Sequence, residues 1–335
     1  MTGLPRIALV HGPTPVVKRP GLDAFTGVDL WVKRDDATGG AEAGNKVRKL
    51  EFLLGDAVAR GADTIITCGG LQSNHARATA LSCAALGLRC VLFLRVEDPR
   101  TARLPAAGNV LLDRMAGAEV RLISHGEYAQ RGAVMESAAI ELRDEGRAPY
   151  VVPEGGSSGL GALGYVECMR ETAGQMARGL AGGRAPFDVV VHACGSGGTA
   201  AGIALGAARH GVARSVRAMA VSDDAAYFER VVMRVMGEAR AWDPTLGEPV
   251  PLVVDDAARG PAYAVSTPEQ RRTIFHVARS GGLVLDPVYS GKAMHGLKAA
   301  VDRGDIAGGA RVLFVHTGGL PGLLAQGDGF EAELA

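Results

Sequence analysis

The chain has no surplus of charge of either sign. Its 335 residues include 36 basic and 36 acidic side chains, so the formal net charge is zero. A protein that works on nucleic acid or on an anionic membrane usually carries a basic surplus, so the balance argues against both partners. Hydrophobic residues make up 47% of the chain, which is ordinary for a globular protein. We therefore expect a compact protein with a sizeable core.

Cysteine is scarce, and long apolar runs are missing. The five cysteines form an odd set without a Cys-x-x-Cys pair, so neither a disulfide framework nor a zinc site is indicated. They are Cys68, Cys83, Cys90, Cys168 and Cys194. We predict no bound metal and a reducing compartment. No run reaches the roughly eighteen apolar residues of a membrane span, and the start lacks the pattern of a signal peptide. We expect a cytoplasmic protein without a membrane segment.

Short β-branched runs alternate with alanine-rich stretches along the whole chain. The runs lie at 64–67, 90–94, 118–123, 150–152, 188–191, 216–221, 250–254 and 312–315, and helical stretches include 76–85, 133–145 and 199–210. Such alternation predicts right-handed crossovers and parallel sheets buried on both faces. We predict an α/β fold with two doubly wound, mostly parallel open sheets. The active site of such a fold lies in the cleft between a large and a small domain.

A first motif places a lysine at the opening turn of a predicted helix. In the segment GNKVRKL at 44–50, apolar residues recur at helical spacing and continue towards Gly61. A lone lysine on an amphipathic helix is most often solvated. If Lys46 were partly desolvated beside the helix amino terminus, its pKa would fall and its amine would form an imine more readily.

A second motif, GGLQSNHAR at 69–77, lies between the strand at 64–67 and an alanine-rich helix. A turn of this kind presents free backbone N–H groups and short polar side chains, which suits capture of a carboxylate. Helix capping by Ser73 or Asn74 explains the same residues equally well. Taken alone, His75 indicates a structural histidine.

A third motif, GSGGTAAG at 195–202, follows the strand at 188–191. Its glycines let the backbone close around an anion at a helix amino terminus, which favours a phosphate cradle. A nicotinamide dinucleotide would also need an acidic residue about twenty positions further on. Asp223 and Asp224 lie near that distance. Spacing alone therefore does not exclude a nicotinamide cofactor.

Six ordered motifs together resemble a known enzyme family. They are GNKVRKLEFL, GGLQSNHAR, GSGGTAAG, GPAY at 260–263, LDPVYSGKAMHG at 285–296 and HTGGLPGL at 316–323. In order and spacing the chain resembles the aminocyclopropane-carboxylate deaminase and D-cysteine desulfhydrase family, which has the tryptophan-synthase-β-like fold type II. The resemblance covers essentially the whole chain. It implies pyridoxal 5'-phosphate rather than a nicotinamide cofactor, and a homodimer.

The resemblance also implies a domain division and a role for each motif. Residues 1–52 and 164–335 would form a large cofactor-binding domain, and residues 53–163 a small substrate-closing domain. Lys46 would hold the cofactor as a Schiff base, with Lys49 as an exposed or structural neighbour. Many relatives have paired glycines before the Asn-Lys dipeptide, whereas this chain has Ala43-Gly44.

The remaining positions follow from the same resemblance. Asn74 would bind the 3-oxygen of the cofactor, and Ser73 with the following backbone would hold the substrate carboxylate. Freed Lys46 would be the default base for the Cα proton, with Tyr289 and Ser73 as candidates for proton handling at the other face or at the leaving group. The phosphate would lie in the loop of Gly195, Ser196, Gly197, Gly198 and Thr199. The substrate would meet Ser73, Asn74, His75, Tyr263 and Tyr289.

Two positions separate the branches of the family. Relatives specialised for opening a cyclopropane ring carry Glu and Leu where this chain has Ser290 and Thr317, which resembles the desulfhydrase branch. A hydroxyl at the pyridine nitrogen makes the ring a weaker electron sink than a carboxylate does, which suits expulsion of a good leaving group. We predict β-elimination from D-cysteine to pyruvate, sulfide and ammonia.

Other functions stay open at this point. A cysteate sulfo-lyase would be favoured if Arg77, Arg95 or another cation lay in the cleft, because a positive charge suits a sulfonate. An aminocyclopropane-carboxylate deaminase and a non-catalytic protein that binds the cofactor are further alternatives.

Overall fold

The structure is a computed structural model that describes residues 3–334. Within this range lie ten β-strands. They are β1 Val16–Lys18, β2 Asp29–Lys33, β3 Thr64–Gly70, β4 Arg89–Arg95, β5 Glu119–Ile123, β6 Pro149–Val151, β7 Val189–Cys194, β8 Val216–Ala220, β9 Leu252–Asp255 and β10 Arg311–Val315. Every strand predicted from the β-branched runs is present, within a few residues of its expected bounds.

Thirteen α-helices connect or flank these strands within the same range. They are α1 Pro20–Thr26, α2 Asn45–Ala59, α3 Asn74–Ala85, α4 Gly108–Met115, α5 His125–Ala129, α6 Arg131–Asp144, α7 Gly159–Ala177, α8 Gly198–His210, α9 Ala225–Trp242, α10 Pro268–Gly281, α11 Ser290–Asp302, α12 Leu320–Leu324 and α13 Glu331–Leu334. In this part of the chain no helix is both long and apolar enough to cross a bilayer.

The strands form two separate sheets. The smaller has the order β5-β4-β3-β6 and is parallel throughout. The larger has the order β1-β2-β10-β7-β8-β9, in which only β1 pairs antiparallel. Helices cover both, as the near-continuous apolar strands require. The predicted fold class, with two mostly parallel open sheets, is confirmed.

The larger sheet joins the two ends of the chain. The early strand β2 lies beside β10, with Asp29 opposite Arg311. This pairing supports a discontinuous large domain. Its predicted bounds, 52/53 and 163/164, fall inside α2 and α7 and stay a prediction.

The central helix α7 was not predicted from the sequence, because its glycines resemble those of loops. A Cβ at Gly164 would collide with the backbone oxygen of Arg48 in α2. A Cβ at Gly206 in α8 would lie 2.9 Å from Val166 Cα of α7. These glycines therefore permit close helix packing rather than a turn.

Candidate active site

A cleft lies between the carboxyl ends of the two sheets, where parallel folds of this kind place their ligands. It encloses about 1050 Å³ and leads past Lys46 and Tyr289 into a smaller inner cavity. The residues that line the inner cavity are Asn45, Lys46, Asn74, Ala193, Cys194, Gly195, Ser196, Gly197, Thr199, Ala200, Tyr289 and Thr317. The first, second and third motifs thus meet at one point.

Lys46 is the second residue of α2 and reaches the junction of the cleft and the inner cavity. Burial lowers the pKa of its amine to about 8, and the nearby Glu154 carboxylate offsets this only in part. Gly44, the N-cap residue of α2, has φ +130°, and a Cβ there would lie 3.0 Å from the backbone oxygen of Thr317. Gly44 is the glycine that this turn requires, so Ala43 in place of a second glycine leaves the approach of Lys46 intact.

Lys49, one turn further along α2, is buried rather than exposed. Its Nζ donates to the backbone oxygen of Gly155 at 3.0 Å and to Ser157 Oγ at 3.2 Å. Burial, together with the neighbouring Lys46, holds the pKa of Lys49 well below its usual range. Of the two expectations for Lys49, the exposed one is wrong, and the structural one fits these contacts.

The glycine loop runs from the end of β7 at Cys194 into α8, which begins at Gly198. The first N–H groups of α8 have no partner within the helix and carry its positive dipole end, so they suit an anion. Gly197 has φ +79°, and a Cβ there would lie 2.8 Å from Val231 Cγ1 of α9. At Gly195 a Cβ would lie 2.9 Å from Tyr289 Cε1. These two glycines are thus required by the neighbouring side chains.

The donors around the inner cavity fit pyridoxal phosphate. The amino end of α8 and the Thr199 hydroxyl offer N–H and O–H donors for a phosphate. Asn45 Nδ2 lies 3.2 Å from Thr199 Oγ1 and holds that hydroxyl. The Lys46 amine lies on the same cavity wall, where it would meet the aldehyde of such a molecule.

The second motif combines capping with a place in the cleft. Ser73 is the N-cap of α3, and its Oγ accepts from the backbone N–H of Ala76 at 3.2 Å. It also lines the cleft, as does His75. His75 Nε2 lies 2.9 Å from Thr67 Oγ1. Burial, with a smaller effect from Lys46, holds the pKa of His75 well below its usual range, so the imidazole is neutral.

Tyr263 and Tyr289 form a hydroxyl pair between the two sheets. Their Oη atoms lie 2.7 Å apart, and the rings meet edge to face with centroids 6.1 Å apart. Burial raises the pKa of both phenols, and for Tyr289 the neighbouring Tyr263 raises it further. A Cβ at Gly70 would lie 3.3 Å from Tyr263 Cε1. The pair thus remains protonated and can share a proton within the cleft.

Thr317 and Ser290, the two branch positions, lie in different surroundings. Thr317 lines the inner cavity. Ser290 is fully buried, its Oγ donates to Asp286 Oδ1 at 2.6 Å, and it accepts from the Asp286 backbone N–H at 2.9 Å. The structure does not bring Ser290 to the described wall of the inner cavity, so its contact with the cofactor stays a prediction.

Four side chains of the cleft were missed or left unplaced by the sequence analysis. Glu154 accepts from the Tyr128 hydroxyl and pairs with Arg131 at 2.8 Å. The Arg95 guanidinium lies 4.7 Å from the Tyr128 ring centre and 5.6 Å from that of Tyr263. Arg95 ends β4, and Glu154 closely follows β6. Their position at or just after the end of a parallel strand could have identified Arg95 and Glu154 from the sequence as cleft residues.

Neither acidic residue proposed for a dinucleotide lies at the glycine loop. Asp224 caps α9 by accepting from the backbone N–H of Tyr227 at 2.8 Å. Asp223 lines the outer part of the cleft and not the described wall of the inner cavity.

Comparison with known proteins agrees with this geometry. The chain is 42% identical over 96% of its length, and 80% of the relative's, to the mitochondrial bifunctional D-cysteine desulfhydrase/1-aminocyclopropane-1-carboxylate deaminase of Arabidopsis thaliana. It is 38% identical to the D-cysteine desulfhydrase of Yersinia pestis over 97% of both chains. A crystal structure of an ACC deaminase homologue superposes with a TM-score of 0.88 at 36% identity, covering 98% of this chain and 96% of the other. The family described as pyridoxal-phosphate dependent enzyme matches residues 7–318, and the chain belongs to that family.

Proposed function

We propose that this enzyme eliminates the β-substituent of a small amino acid, with D-cysteine as the favoured substrate. The products are pyruvate, sulfide and ammonia, and one water is consumed. The observation that carries the choice of reaction is the chemistry of the inner cavity, whose described wall contains no carboxylate. A cofactor ring held in this cavity would meet no carboxylate on the described wall and would be a weaker electron sink, which suffices for a good leaving group such as sulfide. The names of the Arabidopsis and Yersinia relatives support the same choice.

Each residue then has a chemical task. When bound, pyridoxal phosphate withdraws electrons from the bonds at the substrate Cα. Lys46 would hold the cofactor, and its amine would take up the proton from the substrate Cα. The loop from Gly195 to Thr199 holds the phosphate, and Asn74 donates to the 3-oxygen.

The substrate is held from the side of the smaller sheet. Ser73 and the amino end of α3 bind its carboxylate. His75 lines the same cleft and is neutral, so it adds no charge beside Ser73. Tyr289, paired with Tyr263, supplies a proton to the departing sulfur because both phenols remain protonated.

Arg95 favours a second candidate, a cysteate sulfo-lyase that releases sulfite. Within residues 3–334 no carboxylate lies within 4 Å of its guanidinium, which faces the cleft beside Tyr263. An unpaired guanidinium of this kind suits a sulfonate. Arg77 does not contribute, because it is buried and donates to the backbone oxygen of Ala43 at 2.7 Å.

We also propose a homodimer in the cytoplasm, with domain bounds at 52/53 and 163/164. The resemblance of the chain to its family supports the dimer, and the two sheets support the division. Sedimentation of the purified enzyme at a mass of about one chain would contradict the dimer.

A substrate screen tests the reaction. We expect purified enzyme to release pyruvate from D-cysteine, with less from L-cysteine, cysteate or β-chloroalanine, and little ketobutyrate from aminocyclopropane-carboxylate. Arg95→Gln should reduce pyruvate release from cysteate more than from cysteine. Ketobutyrate release as fast as the best elimination would identify a deaminase instead. Failure of every β-substituted alanine would indicate a protein that binds the cofactor without this catalysis.

A further inference from the structure

Asn109 lies outside the described wall of the inner cavity, but its side chain contacts that of Asn74, which lines the cavity. The chain contains three asparagines, Asn45, Asn74 and Asn109. The first two line the inner cavity. The third is fully buried near the start of α4, and its Nδ2 lies 3.0 Å from Asn74 Oδ1.

The contacts of Asn109 decide which way the Asn74 amide faces. Asn109 Nδ2 donates to the backbone oxygen of Gln72 at 2.9 Å. That carbonyl can only accept, so the atom of Asn109 that meets it must be the nitrogen. The same nitrogen meets Asn74, so Asn74 must turn its own oxygen towards Asn109. The Asn74 nitrogen is then left to face the inner cavity.

The backbone around Asn109 holds its amide in place. Gln72 Oε1 accepts from the Asn109 backbone N–H at 2.7 Å, and Gln72 Nε2 donates to the backbone oxygen of Ala107 at 3.2 Å. Gly108 has φ +58°, and a Cβ there would lie 2.8 Å from the backbone oxygen of Pro321. Because α4 begins under these constraints, the Asn109 amide cannot follow a rotation of Asn74.

We propose that Asn109 is a positioning residue that fixes the Asn74 amide with its nitrogen towards the cofactor. This inference rests on the role of Asn74 as donor to the 3-oxygen. An Asn74 amide turned by half a rotation would present an oxygen to an oxygen and lose that hydrogen bond. Asn109 therefore sets both the affinity for the cofactor and the electronic state of its ring, without touching either.

Asn109→Asp tests the proposal at almost constant shape. The aspartate only accepts, so Asn74 should turn its nitrogen towards it and its oxygen towards the cofactor. We expect the dissociation constant for pyridoxal phosphate to rise about tenfold, the effect of one lost hydrogen bond. The pH at which the visible band of the bound cofactor changes should also rise. The reason is that an oxygen relieved of an outside donor holds the proton shared with the lysine nitrogen more tightly.

A double-mutant cycle and a matched control separate positioning from simple loosening. In an Asn74→Ala background, Asn109→Asp should cause no further loss of affinity and no further change in the band. Gln72→Ala removes two side-chain hydrogen bonds at the start of α4 but keeps the Gln72 backbone oxygen that fixes the Asn109 amide, so it should lower the melting temperature and move the band less than Asn109→Asp does. If Asn109→Asp does not fold, Asn109→Ala replaces it, with a smaller shift in the same direction.

Additive losses in the cycle, or a band moved equally by Gln72→Ala, would overturn the proposal. An unchanged band and affinity in Asn74→Ala alone would instead overturn the role of Asn74, and the inference with it. If Asn74→Ala changes the affinity and the band but the Asn109 variants do not, the inference about Asn109 would be overturned while the role of Asn74 would stand.

Discussion

At the scale of single residues, hydrogen bonding distinguishes two lysines of the same helix. Both Lys46 and Lys49 have lowered pKa values, and burial is the largest cause for each. Lys49 donates to Gly155 and Ser157, whereas Lys46 Nζ has no hydrogen-bond acceptor in residues 3–334. An uncharged amine is required for attack on an aldehyde. Of the two, only Lys46 combines a depressed pKa with freedom to react.

Capture of pyridoxal phosphate by the apoenzyme should therefore become faster as the pH rises, with a half-maximal rate near pH 8, the pKa of Lys46. Below this pH the amine is protonated and cannot attack, and above it the rate should level off. Stopped-flow absorbance across pH 6–10 measures the profile. Borohydride reduction and peptide mapping should place the adduct on Lys46. A rate still rising at pH 10, or an adduct on Lys49 or Lys292, would contradict the assignment.

At the scale of one element, α11 contains a buried ammonium that organises a loop. Lys292 Nζ donates to the backbone oxygens of Val221 at 3.0 Å, Arg259 at 2.6 Å and Ala262 at 2.9 Å. Two of these carbonyls belong to the segment that leads to Tyr263. Burial lowers the pKa of Lys292 to about 8. The helix thus positions one member of the tyrosine pair through a side chain that lines neither cavity in the described structure.

Lys292→Met should leave these carbonyls without a donor and cost about 3 kcal/mol of stability. It should also speed amide hydrogen exchange in the segment 259–263 and lower kcat, while the affinity for pyridoxal phosphate stays close to that of the parent. Lys298→Met is the matched control. Lys298 lies on the same helix but pairs at the surface with Asp302, so little change is expected. Equal rates of amide hydrogen exchange at 259–263 in both variants would contradict the role given to Lys292.

At the scale of the whole molecule, Arg77 connects the two halves of the site. It belongs to α3, which follows a strand of the smaller sheet, and it donates to the backbone oxygen of Ala43, just before the turn that leads into Lys46. Burial lowers the pKa of Arg77 to about 10, and the buried Asp113 opposes this. This hydrogen bond holds α3 and the turn before Lys46 in a fixed position relative to each other.

Arg77→Met should lower the free energy of unfolding by about 3 kcal/mol, because the Ala43 carbonyl and Asp113 both lose a cationic neighbour in the interior. Urea denaturation and thermal melting of the holoenzyme measure it. Arg60→Met is the control, since Arg60 is exposed and pairs with Asp56 at the end of α2. An Arg77 variant as stable as the Arg60 variant would show that the link carries no stability.

Much of the fold was predictable because its signals are local. Alternating β-branched and alanine-rich segments predicted eight of the strands, which neighbours along the chain suffice to indicate. The strands β1 and β2 were not predicted, since β1 is only three residues long and β2 contains charged residues that its place in the sheet accommodates. The helix α7 was missed because its glycines are required by contacts with α2 and α8, which lie far away in sequence.

The sequence by itself determined which residues form the chemical motifs: Lys46 after its glycine, Ser73 at a helix start and the loop at Gly195. Each depends on backbone conformation within a few residues. Only the tertiary structure decided that Arg95 faces the cleft while Arg77 is buried, that Ser290 bonds Asp286, and that Asn109 orients Asn74. Burial and hydrogen bonding between distant elements depend on how those elements pack, and no local pattern specifies that packing.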